Sequence, residues 1–171
     1  GLVQETTVFM APDDPVKLVR LRIENPGPAT RKLTLFTFQH WLVGTLVGES
    51  EVIGTEFDES LQAILARNPQ RDLYRDAVAF STVVADTVPE SISHTGDRAS
   101  FLGRYGDLAT PLAVAEGDAL DGRTGGGLDP CAAWQLPLEI PPGKTIECTL
   151  VLGEAADRGA AAKLVHKYRT A

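Results

Sequence analysis

Residues 16–40, VKLVRLRIENPGPATRKLTLFTFQH, decide the fold class of this chain. Val16–Glu24 alternates apolar and charged side chains, and Arg31–His40 is rich in Leu, Thr and Phe, so both segments are predicted strands. Residues 25–28, NPGP, separate them and predict a turn, because proline cannot donate to a sheet ladder. The first strand is expected to bury one face and expose the cations, with Val19, Leu21 and Ile23 inward and Lys17, Arg20 and Arg22 largely outward.

The neighbouring segments extend this pattern. Val3–Met10 also alternates, and residues 11–15, APDDP, break the chain after it. Three strands joined by short turns predict an antiparallel meander that forms one layer of an all-β, two-sheet sandwich. Further strands are predicted at residues 52–57, 63–66 and 77–85, and the last is apolar enough to be central and covered on both faces.

Two closing strands are predicted at residues 134–140 and 145–152. Between them, residues 141–143 (PPG) suit a type II turn, so we expect the two strands to pair as a hairpin. In that register Cys131 and Cys148 would lie about 20 Å apart. This separation is beyond disulfide reach, so the sequence predicts two free thiols.

The apolar period changes near the end of the chain. Residues 156–171 carry apolar side chains at helical spacing, namely Ala161, Leu164, Val165 and Tyr168. Asp157 lies at the start of this segment and Lys167 and Arg169 near its end, as the helix dipole prefers. We therefore expect a sandwich domain over residues 1–155 followed by an amphipathic helix over 156–171.

Composition excludes several classes of protein. The chain has 171 residues and a net charge of −7, which suits one domain with a full core and has the wrong sign for a nucleic-acid surface. No stretch is long and apolar enough to span a membrane, and the N-terminal residues do not resemble a secretion signal, so we expect a soluble, cytoplasmic fragment without membrane contact. Two cysteines and three scattered histidines match no metal pattern, so no metal and no cofactor is predicted.

A long loop region is the first candidate for function. Residues 86–130 hold eight of the sixteen glycines and are predicted to be irregular, and such stretches are often functional when ordered. Asp97 can cap a short turn at the start of DRASFLGR. Arg98 and Arg104 are then either available to bind a carboxylate, a phosphate or a sugar hydroxyl, or held in a structural ion pair with an aspartate.

Aromatic side chains are the second candidate, because sugars stack on exposed rings. Trp41 and Trp134 lie beside apolar strand residues, which favours core packing over a sugar platform. Tyr74 is a further candidate, and Tyr105, between an arginine and a glycine in the loop region, is the aromatic residue for which ligand contact stays open.

The sequence contains no recognisable catalytic constellation. The adjacent acids at 13–14 and 58–59 lie in predicted turns, and there is neither a G-x-S-x-G elbow nor a P-loop. No catalytic residue is therefore predicted. A mutarotase-like enzyme would need a histidine base beside a carboxylate in a concave sheet, and only His40 or His94 could take that part.

Several segments resemble a known family when taken together and in order. They are residues 9–16 (FMAPDDPV), 21–25 (LRIEN), 66–69 (ARNP), 97–104 (DRASFLGR), 127–133 (GLDPCAA), 142–143 (PG) and 152–153 (LG). The series resembles the β-sandwich domain that precedes the helical barrel in family 94 glycoside phosphorylases, and is most similar to the cyclic β-1,2-glucan synthase type. Residues 40–41 (HW) depart from that type, which tends to carry an acid before the tryptophan.

The resemblance implies an architecture and a role. It implies a galactose mutarotase-like supersandwich of two sheets, here incomplete, a helical linker, and an (α/α)6 barrel that carries the catalytic aspartate and the phosphate site and is absent from this chain. The fragment would be non-catalytic and would support the barrel of the same polypeptide. Its loops would face the catalytic domain or a ligand, with the candidate residues Asp97, Arg98, Arg104, Tyr105 and Asp129.

The resemblance also bears on partners and location. It implies a parent protein in a bacterial inner membrane that uses UDP-glucose, and it leaves contacts with a β-glucan and with a second copy of the chain open. Two alternatives remain at this point: a freestanding carbohydrate-binding module, which would bind through an exposed aromatic platform, and a mutarotase-like enzyme.

Overall fold

The computed structural model describes residues 1–43, 52–70, 74–86 and 91–170. Within these ranges nine strands form two antiparallel sheets, a six-stranded one in the order β1-β2-β9-β6-β5-β4 and a three-stranded one in the order β3-β8-β7. The strands are β1 (Val3–Met10), β2 (Val16–Glu24), β3 (Arg31–His40), β4 (Gly54–Asp58), β5 (Ala63–Arg67), β6 (Val78–Ala85), β7 (Ser93–Asp97), β8 (Pro130–Ile140) and β9 (Thr145–Ala155), and the helices are α1 (Arg98–Leu102), α2 (Leu112–Glu116) and α3 (Arg158–Arg169). The predicted all-β sandwich with a C-terminal helix is confirmed.

Two apolar cores lie on opposite faces of the six-stranded sheet. The inner core, between the sheets, contains Trp134 from β8 and Ile146 from β9. The outer core packs Phe80 of β6 against Ala161 and Val165 of α3. Covered from both sides, β6 is buried along most of its length, as its apolar sequence predicts.

A third cluster covers the outer face of the three-stranded sheet. Phe101 and Leu102 of α1 pack there against Cys131 and Ala133 of β8. The rings of Phe38 and Phe101 stack with their centroids 5.1 Å apart. This packing holds α1, and the loop that leaves it, in a fixed place on the sandwich.

The chain changes sheet twice at one end of the sandwich, which overturns two pairing predictions. β3 does not continue a meander with β2, because it pairs with β8 in the three-stranded sheet. β8 and β9 do not form a hairpin, because β9 pairs with β2 and β6. The segments 25–30 and 141–144 are therefore crossings between sheets.

Asn25, which is 1% exposed, ties the two crossings together. Its Nδ2 donates to the carbonyl oxygens of Ala29 and Ile140, each at 2.8 Å. Its backbone N–H donates to Lys144 O at 2.9 Å, and the N–H of Gly143 donates to Asn25 O at 2.8 Å. A PPG turn reverses the chain whether or not its flanking strands pair, and these bonds direct β9 to β2 and away from β8.

Both cysteines are free, as predicted, but the register used to predict this is wrong. Cys131 lies opposite His40 in the three-stranded sheet, whereas Cys148 lies opposite Leu21 in the six-stranded sheet. The two cysteines therefore lie on strands that belong to different sheets.

The region predicted to be irregular contains β7, α1 and α2, so that prediction is wrong over these elements. β7 has the polar sequence SHTGD, which lacks apolar alternation, and it is ordered by its neighbours on both sides. It pairs with β8 on one side. On the other side, the N–H of Gly96 donates to Arg123 O at 2.7 Å and that of Gly122 donates to His94 O at 2.8 Å.

The C-terminal helix forms as predicted and is fastened to the sandwich. Asp157 is its N-cap and accepts from the N–H of Ala160. At the other end Tyr168 Oη donates to Asp14 Oδ2 at 2.6 Å, and Arg169 Nη1 donates to Thr82 Oγ1 at 2.8 Å. No helix within the described ranges has the length and apolarity that a membrane crossing requires.

We expect Asn25→Asp to destabilise the fold by about 3 kcal/mol, because the carboxylate cannot donate and would face the carbonyl oxygens that now accept from the amide. Chemical denaturation with matched baselines measures this. Gln4→Glu is the control, since its exposed amide makes a single long contact with Thr6 Oγ1, at 3.4 Å. A loss in Asn25→Asp no larger than in the control would contradict the role given to Asn25.

We expect Arg158→Gln to lower the melting temperature by about 2–4 °C at pH 7. Arg158 donates to Glu56 at 2.8 and 2.9 Å and also to Asp58. Its hydrogen bonds lower the pKa of Glu56, and bonds from Ser60 and then Arg158 lower the pKa of Asp58.

Lowered carboxylate pKa values in the folded state stabilise it at neutral pH, and this stabilisation is lost as the pH falls through them. The difference between wild type and Arg158→Gln should therefore shrink below about pH 4. Arg20→Gln is the control, because Arg20 is as exposed as Arg158 and lies 3.9 Å from its partner Glu147. A difference that stays constant down to pH 3 would contradict this assignment.

Candidate functional site

An ionic cluster lies where β3 and β7 end and β8 begins. Arg98 donates from Nε to Asp129 Oδ2, and its backbone N–H donates to Asp129 O at 2.7 Å. His40 Nε2 lies 3.4 Å from Asp129 Oδ1. Of the two alternatives for Arg98, the structural ion pair is therefore the one that the chain adopts.

Asp97 has a structural task at the same place. It is 3% exposed, and it caps α1 by accepting from the N–H of Ala99 at 3.1 Å. Arg123 Nη1 lies 3.1 Å from its second oxygen. A buried carboxylate that is capped and paired in this way fixes the geometry of the loop.

Arg104 and Tyr105, by contrast, point away from the sandwich. Tyr105 is 95% exposed and Arg104 is also exposed. They lie just beyond Gly103, whose φ of +88° favours glycine. At Gly106 a Cβ would lie 1.8 Å from Leu102 O, so the turn that presents both side chains requires glycine there.

Exposed apolar side chains follow in the next residues. Leu108, Leu112 and Val114 are 66%, 42% and 48% exposed, although α2 buries Ala113 beneath them. We call these residues with Arg104 and Tyr105 the 104–114 surface. Its apolar side chains are exposed, and exposed apolar side chains that form one patch are typical of interaction sites.

Three cavities are lined by described residues. The largest, of about 650 Å³, lies at the end of the sandwich where β3 leads into Trp41, and Tyr74 contributes to its rim. A second of about 350 Å³ includes Arg67 and Arg75, and a third of about 320 Å³ lies between β2, β3 and β9 at the open side of the sandwich.

Neither histidine proposed for a mutarotase-like enzyme lines any of these three cavities. His94 stacks on Phe57 with ring centroids 3.8 Å apart. Burial lowers the pKa of His94, and the charge of Asp121 opposes this effect. His40 contacts Asp129 beside an arginine that already binds the same carboxylate.

The two thiols are held in their protonated form. Burial raises the pKa of Cys131 to about 12, with the charges of Asp97 and Asp129 adding to the effect. Burial raises the pKa of Cys148 to about 11. In the described part of the chain no cluster of His, Cys, Asp and Glu has the geometry to hold a metal ion.

Sequence reasoning missed several partners in this region. Arg123 binds Asp97, and Ser100 Oγ donates to Asp121 Oδ2 at 2.7 Å. Arg123 and Asp121 both belong to the segment DGRTGGGLDPC, whose sequence indicates a loop but no particular partner for either residue. Their roles depend on residues 123 and 97 being brought together by β7, for which the sequence carried no periodic signal.

Comparison with known proteins places the chain in a family context. The model of the supersandwich domain of glycosyl hydrolase 94 matches residues 1–171. The chain is 34% identical over 142 residues to the cyclic β-(1,2)-glucan synthase NdvB of Rhizobium meliloti (strain 1021), covering 82% of this chain and 5% of that protein.

Two phosphorylases are similar along almost the whole chain. The identity is 24% to the N,N′-diacetylchitobiose phosphorylase of Vibrio furnissii, covering 99% of this chain and 21% of the relative. It is 25% to the solabiose phosphorylase of Paenibacillus borealis, covering 98% and 22%. The chain thus spans about a fifth or less of the length of the relatives it matches.

We expect neither thiol to react with a disulfide reagent in the native protein at pH 8, because both are buried and protonated at that pH. Absorbance of the released chromophore should report two thiols per chain only after denaturation. Ala99→Cys, which places a thiol on the exposed side of α1, should react at once and serves as the control. Fast labelling of the wild-type native protein would contradict the assignment.

Proposed function

This chain belongs to the supersandwich domain family of glycosyl hydrolase 94, and from this premise we propose that it is a non-catalytic domain that supports a catalytic domain of the same polypeptide. The longer protein would be a cyclic β-1,2-glucan synthase or a related glycoside phosphorylase. The catalytic groups would lie outside these residues, on a helical (α/α)6 barrel.

The lengths of the relatives support this proposal. The synthase and the phosphorylases that the chain matches are all much longer than the match itself. Their names describe activities of whole proteins, whereas this chain corresponds to one domain within them. The paired charges at Asp97 and Asp129 support the same interpretation, because they stabilise a loop and leave no carboxylate poised for chemistry.

The single observation that carries the proposal is the 104–114 surface. A tyrosine that is 95% exposed, beside an exposed arginine and three exposed apolar side chains, is the composition of an interface core with a hydrogen-bonding anchor. The capped and packed helix α1 holds this surface rigidly on the sandwich. Under the proposal, the catalytic domain covers it.

The proposal extends to the setting of the longer protein. If the longer protein is of the synthase type, it would lie in a bacterial inner membrane and use UDP-glucose, with this domain on the cytoplasmic side. A contact between two copies, and a contact with the β-glucan itself, belong to the same proposal.

The test substitutes the 104–114 surface in the longer protein. Arg104→Ala and Tyr105→Ala should each reduce turnover at least about tenfold if they contribute interface contacts worth about 1.4 kcal/mol or more. The melting temperature of the isolated chain should stay unchanged, because both side chains are exposed. Val8→Ala, at an exposed apolar position on β1, is the control and should leave turnover unchanged.

Two outcomes would contradict the proposal. One is wild-type turnover in both variants. The other is a loss of melting temperature that accounts for the loss of turnover, since this would make the loop a stabilising element of the sandwich and nothing more.

A further inference from the structure

The largest of these three cavities lies at the same end of the sandwich as the ionic cluster, and no side chain of that cluster lines it. Trp41 follows His40 at the end of β3 and forms one wall. The backbone N–H of Trp41 donates to Pro130 O at 3.1 Å. Lys17 of β2 and Leu152 of β9, paired across the six-stranded sheet, form another wall. We propose that this cavity of about 650 Å³ binds a neutral saccharide.

The size and lining of the cavity suit a small ligand. Its volume falls in the range of about 300–1,000 Å³ that is usual for ligand sites. Most of its wall is apolar and includes two aromatic residues, Trp41 and Tyr74. Tyr74 is 62% exposed, so its ring is accessible to the apolar C–H face of a sugar.

The polar groups favour a neutral ligand over a charged one. Lys17 and Glu154 both line the cavity and lie on adjacent strands, where the N–H of Glu154 donates to Pro15 O at 3.2 Å. The cation offers hydrogen-bond donors and the carboxylate offers acceptors, which matches a sugar hydroxyl because it both donates and accepts. With one charge of each sign at the site, a phosphate would be attracted by Lys17 and repelled by Glu154.

Asn68 makes the wall rigid where the polar groups converge. It is 2% exposed, its Nδ2 donates to Val43 O at 2.9 Å, and its Oδ1 accepts from the N–H of Gln70 at 3.2 Å. These bonds hold the segment after β3 against the segment after β5. The cavity is thereby shaped by buried hydrogen bonds as well as by apolar packing.

Trp41 carries an unused donor in this wall. Its Nε1 is buried and has no partner among the described residues, whereas Nε1 of Trp134 donates to Ser81 Oγ at 3.0 Å. The proposal does not depend on this donor, because Nε1 is buried. The Trp41 ring lines the cavity, so we expect its indole resonance to respond to a ligand bound there.

The choice of sugar rests on the proposed function. If the longer protein makes or degrades β-1,2-linked glucose chains, the ligand is one or two glucosyl units of such a chain, and the cavity is a binding site away from the catalytic centre. The chemistry of the cavity itself requires only an uncharged sugar with an apolar face and several hydroxyl groups.

The experiment is an NMR titration of the ¹⁵N-labelled chain with sophorose, the β-1,2-linked glucose disaccharide, and with a longer linear β-1,2-glucan. The indole resonance of Trp41 should shift with a saturable dependence on sugar concentration. That of Trp134 should not, because its N–H is already bonded in the core. Inorganic phosphate at the same concentrations should leave both unchanged.

Tyr74→Ala should weaken the affinity about tenfold, equivalent to 1.4 kcal/mol. Phe9→Ala, which removes an exposed aromatic side chain that does not line the cavity, is the control and should bind as wild type does. Because Tyr74 is exposed, its variant should fold normally, and the unchanged dispersion of the spectrum checks this.

Three outcomes would overturn the proposal: no saturable shift of Trp41 with either sugar, equal affinity in Tyr74→Ala and wild type, or equal loss in Tyr74→Ala and Phe9→Ala. These outcomes are independent of the proposed function. If the 104–114 variants lose turnover but no sugar binds in the cavity, the supporting role is retained and the sugar site is rejected. If a sugar binds but the variants keep their turnover, the sugar site is retained and the supporting role is rejected.

Discussion

The buried side chain of Asn25 is the constraint on which the arrangement of the two sheets depends. A buried amide is costly unless its donors and acceptor are bonded, and here they are bonded to both segments that cross between the sheets. Because Glu24 lies opposite Thr145 and Arg31 opposite Ile140, the crossings set the register of β2 with β9 and of β3 with β8. This end of the sandwich is closed by backbone hydrogen bonds. The other end is free to carry side chains with other tasks.

The sequence predicted strand bounds well and strand partners poorly. Val16–Glu24 and Arg31–His40 were found at their predicted bounds because their composition and the NPGP break are local signals. The prediction that β8 and β9 form a hairpin was wrong, because β9 is directed to β2 by Asn25. This residue is more than a hundred positions away from β8 in the chain, so no local pattern indicates its role. β7 was missed because its five polar residues are ordered by their neighbours. In the candidate site, the cap formed by Asp97 could be read from spacing, whereas its pairing with Arg123 depends on that missed strand.

The end opposite the crossings combines two kinds of surface. Ion pairs at Asp97 and Asp129 are satisfied internally and fix α1, so the side chains that this loop leaves for a partner are those of the 104–114 surface. The cavity at Trp41 offers aromatic walls and one charge of each sign. A supporting domain that presents an interface and a sugar site at one end would hold a glucan close to the catalytic domain without reacting with it. The two thiols are buried and protonated, and the carboxylates of Asp97 and Asp129 are held in ion pairs.

The most direct measurement is amide hydrogen exchange of this chain alone and of the longer protein. It shows whether the sandwich is rigid and whether the 104–114 surface is covered in the longer protein. The account predicts slow exchange at Asn25 and Gly143 in both samples, because their N–H groups hold the crossings together. It also predicts that residues 104–114 exchange quickly in the isolated chain and are protected in the longer protein. Equal exchange of residues 104–114 in the two samples would contradict the account.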